Sequence, residues 1–206
     1  MCARYTLTVP ERLRELFPRV RFSALLPRFN IAPSTPVLGL RNAAGDIAEL
    51  MIWGPRHINA RVETLAEKPT FAEALRFRRA IVFADGYYEW HASPGTLKQP
   101  YRVTRRGGAP FAFAALWEKL LVPVVETAYA CTLVTMPPRD DLAWLHDRTP
   151  LMLDAAGSDA WLRDGSIVPL ADALEATPVS RAVNKVTRDD AALIEPVTPP
   201  IQDSLF

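Results

Sequence analysis

The sequence predicts an α+β fold: a mainly antiparallel sheet with short helices beside it. Three observations carry that prediction. Runs rich in β-branched and aromatic residues recur between Gly, Pro and Asp punctuation, the pattern of strands joined by turns. Helical stretches are brief, so the long crossover helices that parallel βαβ units require are missing. A hydrophobic content of 49% in 206 residues supplies a substantial core.

The elements follow in chain order. Pro10–Leu16 reads as a short helix with proline near its first turn. Val37–Arg41 and Ile47–Trp53 read as strands joined by a hairpin turn at Ala44-Gly45-Asp46. Thr70–Arg78 is a helix in which Thr70 and Glu73 have capping-box spacing. Ala80–Trp90, Pro100–Arg105, Pro110–Trp117 and Thr127–Thr135 are strands, with a second hairpin turn at Arg106-Gly107-Gly108. Asp140–Leu145, Ser158–Arg163 and Leu170–Leu174 are short helices, the second with Ser158 as its N-cap. Repeats and low-complexity segments are absent and the 19 prolines are dispersed, so residues 1–206 read as one domain.

Composition narrows the function classes. No stretch reaches the roughly 18 apolar residues of a membrane span, and the first residues lack the apolar region of a secretory signal. The expected location is the cytoplasm, with no membrane partner. Two cysteines in a reducing compartment, Cys2 and Cys131, are expected to be free thiols. The net charge is +1, but residues 1–110 carry +8 and the rest −7. Such asymmetry suits a phosphate-binding face, and equally suits solvated charges that neutralise one another in the folded chain.

The common hydrolase, zincin, nucleotide-binding and dithiol motifs are all missing. No pair among Cys2, Cys131, His57, His91 and His146 has a familiar metal-ligand spacing, so neither a metal nor another cofactor is expected. Cys2 is the unusual position. Removal of Met1 from before a small residue leaves an amine and a thiol on one residue, and such a 1,2-aminothiol has aldehydes as its natural electrophiles. The amine adds to form a Schiff base, and the neighbouring thiol closes onto the imine carbon to give a five-membered thiazolidine. The plain alternative for Cys2 is a chance residue on a frayed terminus.

Polar and aromatic residues concentrate in Trp53-Gly54-Pro55, Asn59-Ala60-Arg61-Val62-Glu63-Thr64 and Asp85-Gly86-Tyr87-Tyr88-Glu89-Trp90, at expected strand ends where sites tend to sit. Glu89, between Tyr88 and Trp90, has a setting apolar enough to suit proton shuttling, although a solvated strand-end Glu is the commoner case. His146 offers a second acid/base group, or simply a helix-end imidazole resting on backbone carbonyls.

Taken as an ordered series, these segments resemble the SOS-response-associated peptidase (SRAP) family, whose members shield abasic sites by crosslinking to them. The resemblance starts at Met1-Cys2-Ala3-Arg4-Tyr5 and runs through Asn30-Ile31-Ala32-Pro33-Ser34, Trp53-Gly54, Asn59 to Thr64 and Asp85 to Trp90. It continues through Pro100-Tyr101, Phe113 to Glu118, Cys131 to Thr135, His146-Asp147-Arg148-Thr149-Pro150 and Val183-Asn184. It implies a barrel-like sheet and, as partner, single-stranded DNA containing abasic sites, bound by a monomer that associates with the nucleoid when on DNA. It also implies Cys2 as nucleophile, Asn59 as the group holding the adduct, and Glu89 and His146 as proton carriers. Arg4, Arg61 and Arg148 would clamp phosphates, and Trp53 with Asn30 and Pro33 would support the flanking strand by stacking or wedging. Ordinary core packing is the simpler role for Trp53.

Three departures stand out. Ala3 replaces the usual Gly, Thr149 stands where Met is usual, a change expected to affect packing alone, and the stretch between Trp53-Gly54 and Asn59 is about ten residues shorter than the family commonly has. The last bears on the DNA contacts more than on the chemistry, and His57 within it is a candidate substitute contact. Two other functions compete: a thiol peptidase that removes its own Met1 or cleaves other proteins through Cys2, Glu89 and His146, and a module that recognises damaged DNA without bonding to it.

Overall fold

A computed structural model describes residues 2–23, 25–92, 97–120 and 128–198. Thirteen strands and three α-helices are assigned among them. The strands are β1 (Tyr5–Leu7), β2 (Arg28–Ile31), β3 (Pro36–Arg41), β4 (Glu49–Trp53), β5 (Asn59–Arg61), β6 (Arg79–Ala84) and β7 (Gly86–His91), then β8 (Gln99–Arg105), β9 (Phe111–Leu120), β10 (Ala128–Met136), β11 (Thr149–Pro150), β12 (Met152–Leu153) and β13 (Leu174–Pro178). The helices are α1 (Leu13–Leu16), α2 (Pro69–Phe77) and α3 (Ala155–Asp164).

Strands β4, β3, β6, β9 and β10 close into a barrel, because β10 pairs antiparallel with β9 and parallel with β4. The other three neighbour pairs in the ring are antiparallel. Strand β6 and Phe111–Trp117 of β9 are buried along their whole length, which explains why both read as unbroken apolar runs. Helix α3 covers their outer face: Trp161 is fully buried, and its indole N–H donates to the carbonyls of Ala80 (2.9 Å) and Ala115 (3.2 Å). A second sheet, wholly antiparallel, runs in the order β13-β8-β7-β1-β2.

The junction between the two sheets is Asp85. Sequence reading expects one strand over Ala80–Trp90, but the chain leaves the barrel after Ala84 and enters the second sheet at Gly86. Buried Asp85 anchors the crossing by accepting from Thr6 Oγ1 (2.6 Å), Thr8 N and Oγ1, Val9 N (2.9 Å) and Arg102 Nη2 (3.0 Å). A carboxylate with that many donors holds its position firmly. Gly86 is required beside it, since a Cβ there would lie 2.9 Å from Arg102 Nε and 3.0 Å from Thr6 Oγ1.

Other expectations need correction. Residues 170–174 are not a helix: Leu170 is extended chain bonded to Met152, and Leu174 opens β13. The N-cap of α3 is Asp154, which accepts from the Gly157 N–H, and Ser158 lies buried inside the helix. Helix α2 starts at Pro69 with no side-chain cap, so Thr70 and Glu73 do not form a capping box. Asp140–Leu145 shrinks to one 3-10 turn at Asp140–Leu142, and Pro10–Leu16 divides into a 3-10 turn and α1. The Ala44-Gly45-Asp46 hairpin is present, whereas Arg106-Gly107-Gly108 carries the chain from β8 to β9 in the other sheet. Thr127 lies outside the described residues. The mainly antiparallel, barrel-like α+β class holds. No helix among the described residues is long and apolar enough to cross a membrane.

Candidate active site

The site forms where the start of the chain meets three segments distant in sequence. Strand β1 pairs with β7 at Tyr5↔Tyr87, and the Tyr88 N–H donates to the Arg4 carbonyl (2.9 Å). Continuing that antiparallel register puts residues 2–3 beside Glu89. Asn59 arrives on β5, which pairs in parallel with β10 at Leu133↔Asn59. His146 arrives on the loop that leads into β11, held by Leu142 and Leu145, both buried.

Cys2 is fully buried, its thiol 3.7 Å from the Arg4 carbonyl oxygen. Burial pushes the thiol pKa well up, and the nearby Glu89 carboxylate pushes it further; the hydrogen bond to Arg4 opposes them weakly. The Cys2 sulfur is therefore a neutral S–H at physiological pH. Asn59 Nδ2 donates to the Cys2 carbonyl at 2.8 Å, and Asn59 Oδ1 is buried with no hydrogen-bond partner among the described residues. A buried amide oxygen in that state is an acceptor waiting for a donor.

Glu89 is 4% exposed, so a solvated strand-end carboxylate is ruled out. Its Oε1 lies 3.8 Å from His146 Nε2. The Arg148 backbone N–H donates to His146 Nδ1 at 3.0 Å, while Asp147 Oδ1 lies 2.7 Å from the same nitrogen. These two contacts belong to two states of the ring. When Nδ1 accepts from Arg148 the ring proton sits on Nε2, facing Glu89; when Nδ1 carries a proton it donates to Asp147. Glu89 and His146 thus meet as a carboxylate–imidazole pair beside Cys2. Tyr87, beneath them, is bonded through its hydroxyl to Thr149 Oγ1 (2.9 Å), so Thr149 does more than pack: it ties the His146 loop to β7.

The residues expected to contact DNA are placed variously. Arg61 is exposed and Pro33 half-buried. Arg148 is bound in a fork to Glu63 (2.5 and 3.0 Å) and also donates to the Thr135 carbonyl (2.7 Å). That fork holds the Glu63 carboxyl below its usual pKa. Arg4 donates to Asn30 Oδ1 (2.9 Å) and the Val183 carbonyl (2.8 Å). Asn30 is buried, its amide given to the carbonyls of Val183, Lys185 and Arg188. Trp53 is fully buried, edge-on to Tyr5, and donates to the Ile58 carbonyl (3.0 Å). Asn30 and Trp53 are therefore buried and offer no open face. The Glu63–Arg148 fork and the Tyr87–Thr149 bond escape sequence reading, since no local pattern links residues that far apart. His57 is exposed, with its ring near Phe71. No group of three His, Cys, Asp or Glu among the described residues is arranged to hold a metal ion.

The family model for "SOS response associated peptidase (SRAP)" matches residues 1–186. The chain is 32% identical to the abasic site processing protein YoqW of Bacillus subtilis, over 95% of this chain and 99% of that protein. It is 34% identical to the abasic site processing protein YedK of Escherichia coli, over 82% and 85% of the two chains. Among solved structures, a Bordetella bronchiseptica protein superposes with a TM-score of 0.72 at 27% identity, covering 87% of this chain and all of that one. A Bacteroides thetaiotaomicron protein shares the fold, with a TM-score of 0.79 at 16% identity over 96% of this chain.

Proposed function

The chain belongs to the SOS response associated peptidase (SRAP) family, and from that premise we propose that it captures abasic sites in single-stranded DNA through Cys2, once Met1 is removed. The observation that carries this reading is the Asn59–Cys2 bond at the chain start, next to the Glu89–His146 pair. Relatives whose names record abasic site processing support it.

In this scheme the amine attacks before the thiol. Burial and the nearby Glu89 carboxylate raise the thiol pKa, which makes the sulfur a poorer first nucleophile than the amine. A terminal amine has a pKa near 7.7–8.0, so roughly a third of it is neutral at pH 7.5. The sugar opens when its O4′ gains a proton and its 1-hydroxyl loses one, giving the C1′ aldehyde. The amine adds to C1′, water leaves, and an imine forms. The Cys2 sulfur then bonds to C1′ while its proton passes to the nitrogen, closing the thiazolidine with one water as the sole by-product. Glu89 and His146 carry the protons, and the open Asn59 Oδ1 accepts from the new N–H or a sugar hydroxyl. In this last step the imine nitrogen is the base that takes the thiol proton, directly or through Glu89 or His146, so no free thiolate has to form first.

The Arg148–Glu63 fork already has the bidentate geometry of a guanidinium on an oxyanion. In this proposal a phosphate exchanges with Glu63, and exposed Arg61 adds charge beside it. Intact-mass analysis tests the function. Protein lacking Met1 gains the mass of an oligonucleotide, less one water, only after uracil excision from that oligonucleotide. A linkage mapped to an internal lysine refutes the scheme, and a Cys2-dependent digest of casein with no DNA adduct favours a peptidase instead.

A further inference from the structure

Beside the site lies an aromatic cluster that the chemistry above leaves unused. Glu89 and Tyr101 are direct partners in the β7–β8 register, so their side chains share one face of the sheet. His91, two residues beyond Glu89 on β7, points to that face as well. Trp144 sits two residues before His146 on the same short loop. Its ring centroid is 5.3 Å from His91 at 60° and 5.1 Å from Tyr101 at 86°.

The exposure of Trp144 requires an explanation. Trp53 and Trp161 are fully buried and Trp117 is 9% exposed, yet Trp144 is 48% exposed. It is also tethered: the indole N–H donates to the Asp141 carbonyl (3.0 Å), and buried Leu142 and Leu145 anchor the backbone on either side. An aromatic ring that is tethered at its N–H, backed by two other rings and left open on its remaining surface has less orientational freedom to lose on meeting a planar partner. One loop carries both this ring and His146, and one sheet face carries both its supports and Glu89.

We infer that Trp144, backed by His91 and Tyr101, is the stacking platform for the base of the nucleotide next to the captured sugar. This rests on the DNA reading above and adds to it a position where the neighbouring base is gripped. Stacking on an aromatic ring tolerates any base, which suits damage that arises in any sequence context.

The test uses full-length protein and a short single-stranded oligonucleotide with one internal abasic site made by uracil excision. In companion substrates the nucleotide on one side or the other is replaced by tetrahydrofuran, which has neither base nor aldehyde. Trp144→Ala is expected to raise the half-saturating DNA concentration about tenfold with the maximal capture rate unchanged, and Trp144→Phe to retain most of the affinity. The parent should lose a similar factor when one flanking base is removed, and Trp144→Ala should be indifferent to that removal. Unchanged half-saturation in Trp144→Ala overturns the inference, as does equal sensitivity of parent and variant to the missing base. A second readout stands apart from the covalent chemistry. With Cys2→Ser protein and undamaged single-stranded DNA, tryptophan fluorescence should be quenched, and Trp144→Phe should abolish the quench. If the parent forms no adduct but this quench is lost in Trp144→Phe, the capture reading fails and the platform stands. A quench unaltered by Trp144→Phe removes the platform whatever the adduct does.

Discussion

The two cysteines occupy equally buried positions with opposite surroundings. Cys2 is 0% exposed and Cys131 1%, and burial raises the pKa of both thiols. Cys131 lies mid-strand in β10, within the barrel wall, and burial alone accounts for its shift. Cys2 lies among the Asn59 amide, the Arg4 carbonyl and the Glu89 carboxylate. Neither environment makes a thiolate, so sulfur activation does not distinguish them. What separates them is the hydrogen-bonding equipment around the backbone of Cys2, which is the part of that residue an amine would occupy.

The sharpest way to break this comparison is to exchange the roles. Cys2→Ser should abolish the denaturation-resistant adduct, a loss of at least about 10³-fold on a denaturing gel, because imine capture survives but ring closure onto sulfur does not. Cys131→Ala should keep the parental adduct yield. If Cys131→Ala also loses the adduct while still folded, the contrast between the two sites collapses. Next in size, Glu89→Gln and His146→Ala should each slow capture by about 10²-fold, the usual scale for a positioned acid or base, in single-turnover assays. Unchanged rates in both would leave the nucleophile but remove the proton carriers.

A smaller effect concerns pH. The thiol stays protonated across the neutral range, so its ionisation adds nothing there. The capture rate should rise about tenfold between roughly pH 6.5 and 8 as the amine deprotonates, then level off above about pH 8.5. A rate still climbing steeply beyond pH 9 would point to attack by thiolate. The smallest effect is structural: Cys131→Ala should cost about 1–2 kcal/mol in urea denaturation, the transfer and cavity terms of one buried sulfur.

How much of this the sequence discloses depends on how local each cause is. The class of fold, the barrel strands β3, β4, β9 and β10, and helix α2 follow from composition and punctuation nearby. The division of Ala80–Trp90 does not, because it is imposed by Thr6, Thr8, Val9 and Arg102 converging on Asp85 from elsewhere in the chain. Strands β1, β2 and β5 are too short for periodicity to show and exist through their partners. At the site, Cys2 draws notice by its position, and the ordered motifs bring Asn59, Glu89 and His146 beside it. Asn30 and Trp53 read as surface contacts because polarity and aromaticity say nothing about burial; the three carbonyls that occupy the Asn30 amide come from residues 183–188.

The parallel pairings of β10 have one more effect. Along β10, Cys131 faces Trp53 of β4 and Leu133 faces Asn59 of β5, so Thr132 alone stands opposite five residues, Gly54 to Ile58. The excess, Gly54 to Ile58, is pushed outward as a bend in which Gly54 has a φ of +71° and meets Ile58 closely. Asn59 is fixed by the ladder behind it and not by the length of that bend. A longer or shorter excursion between Gly54 and Ile58 can therefore be accommodated while Asn59 keeps its place.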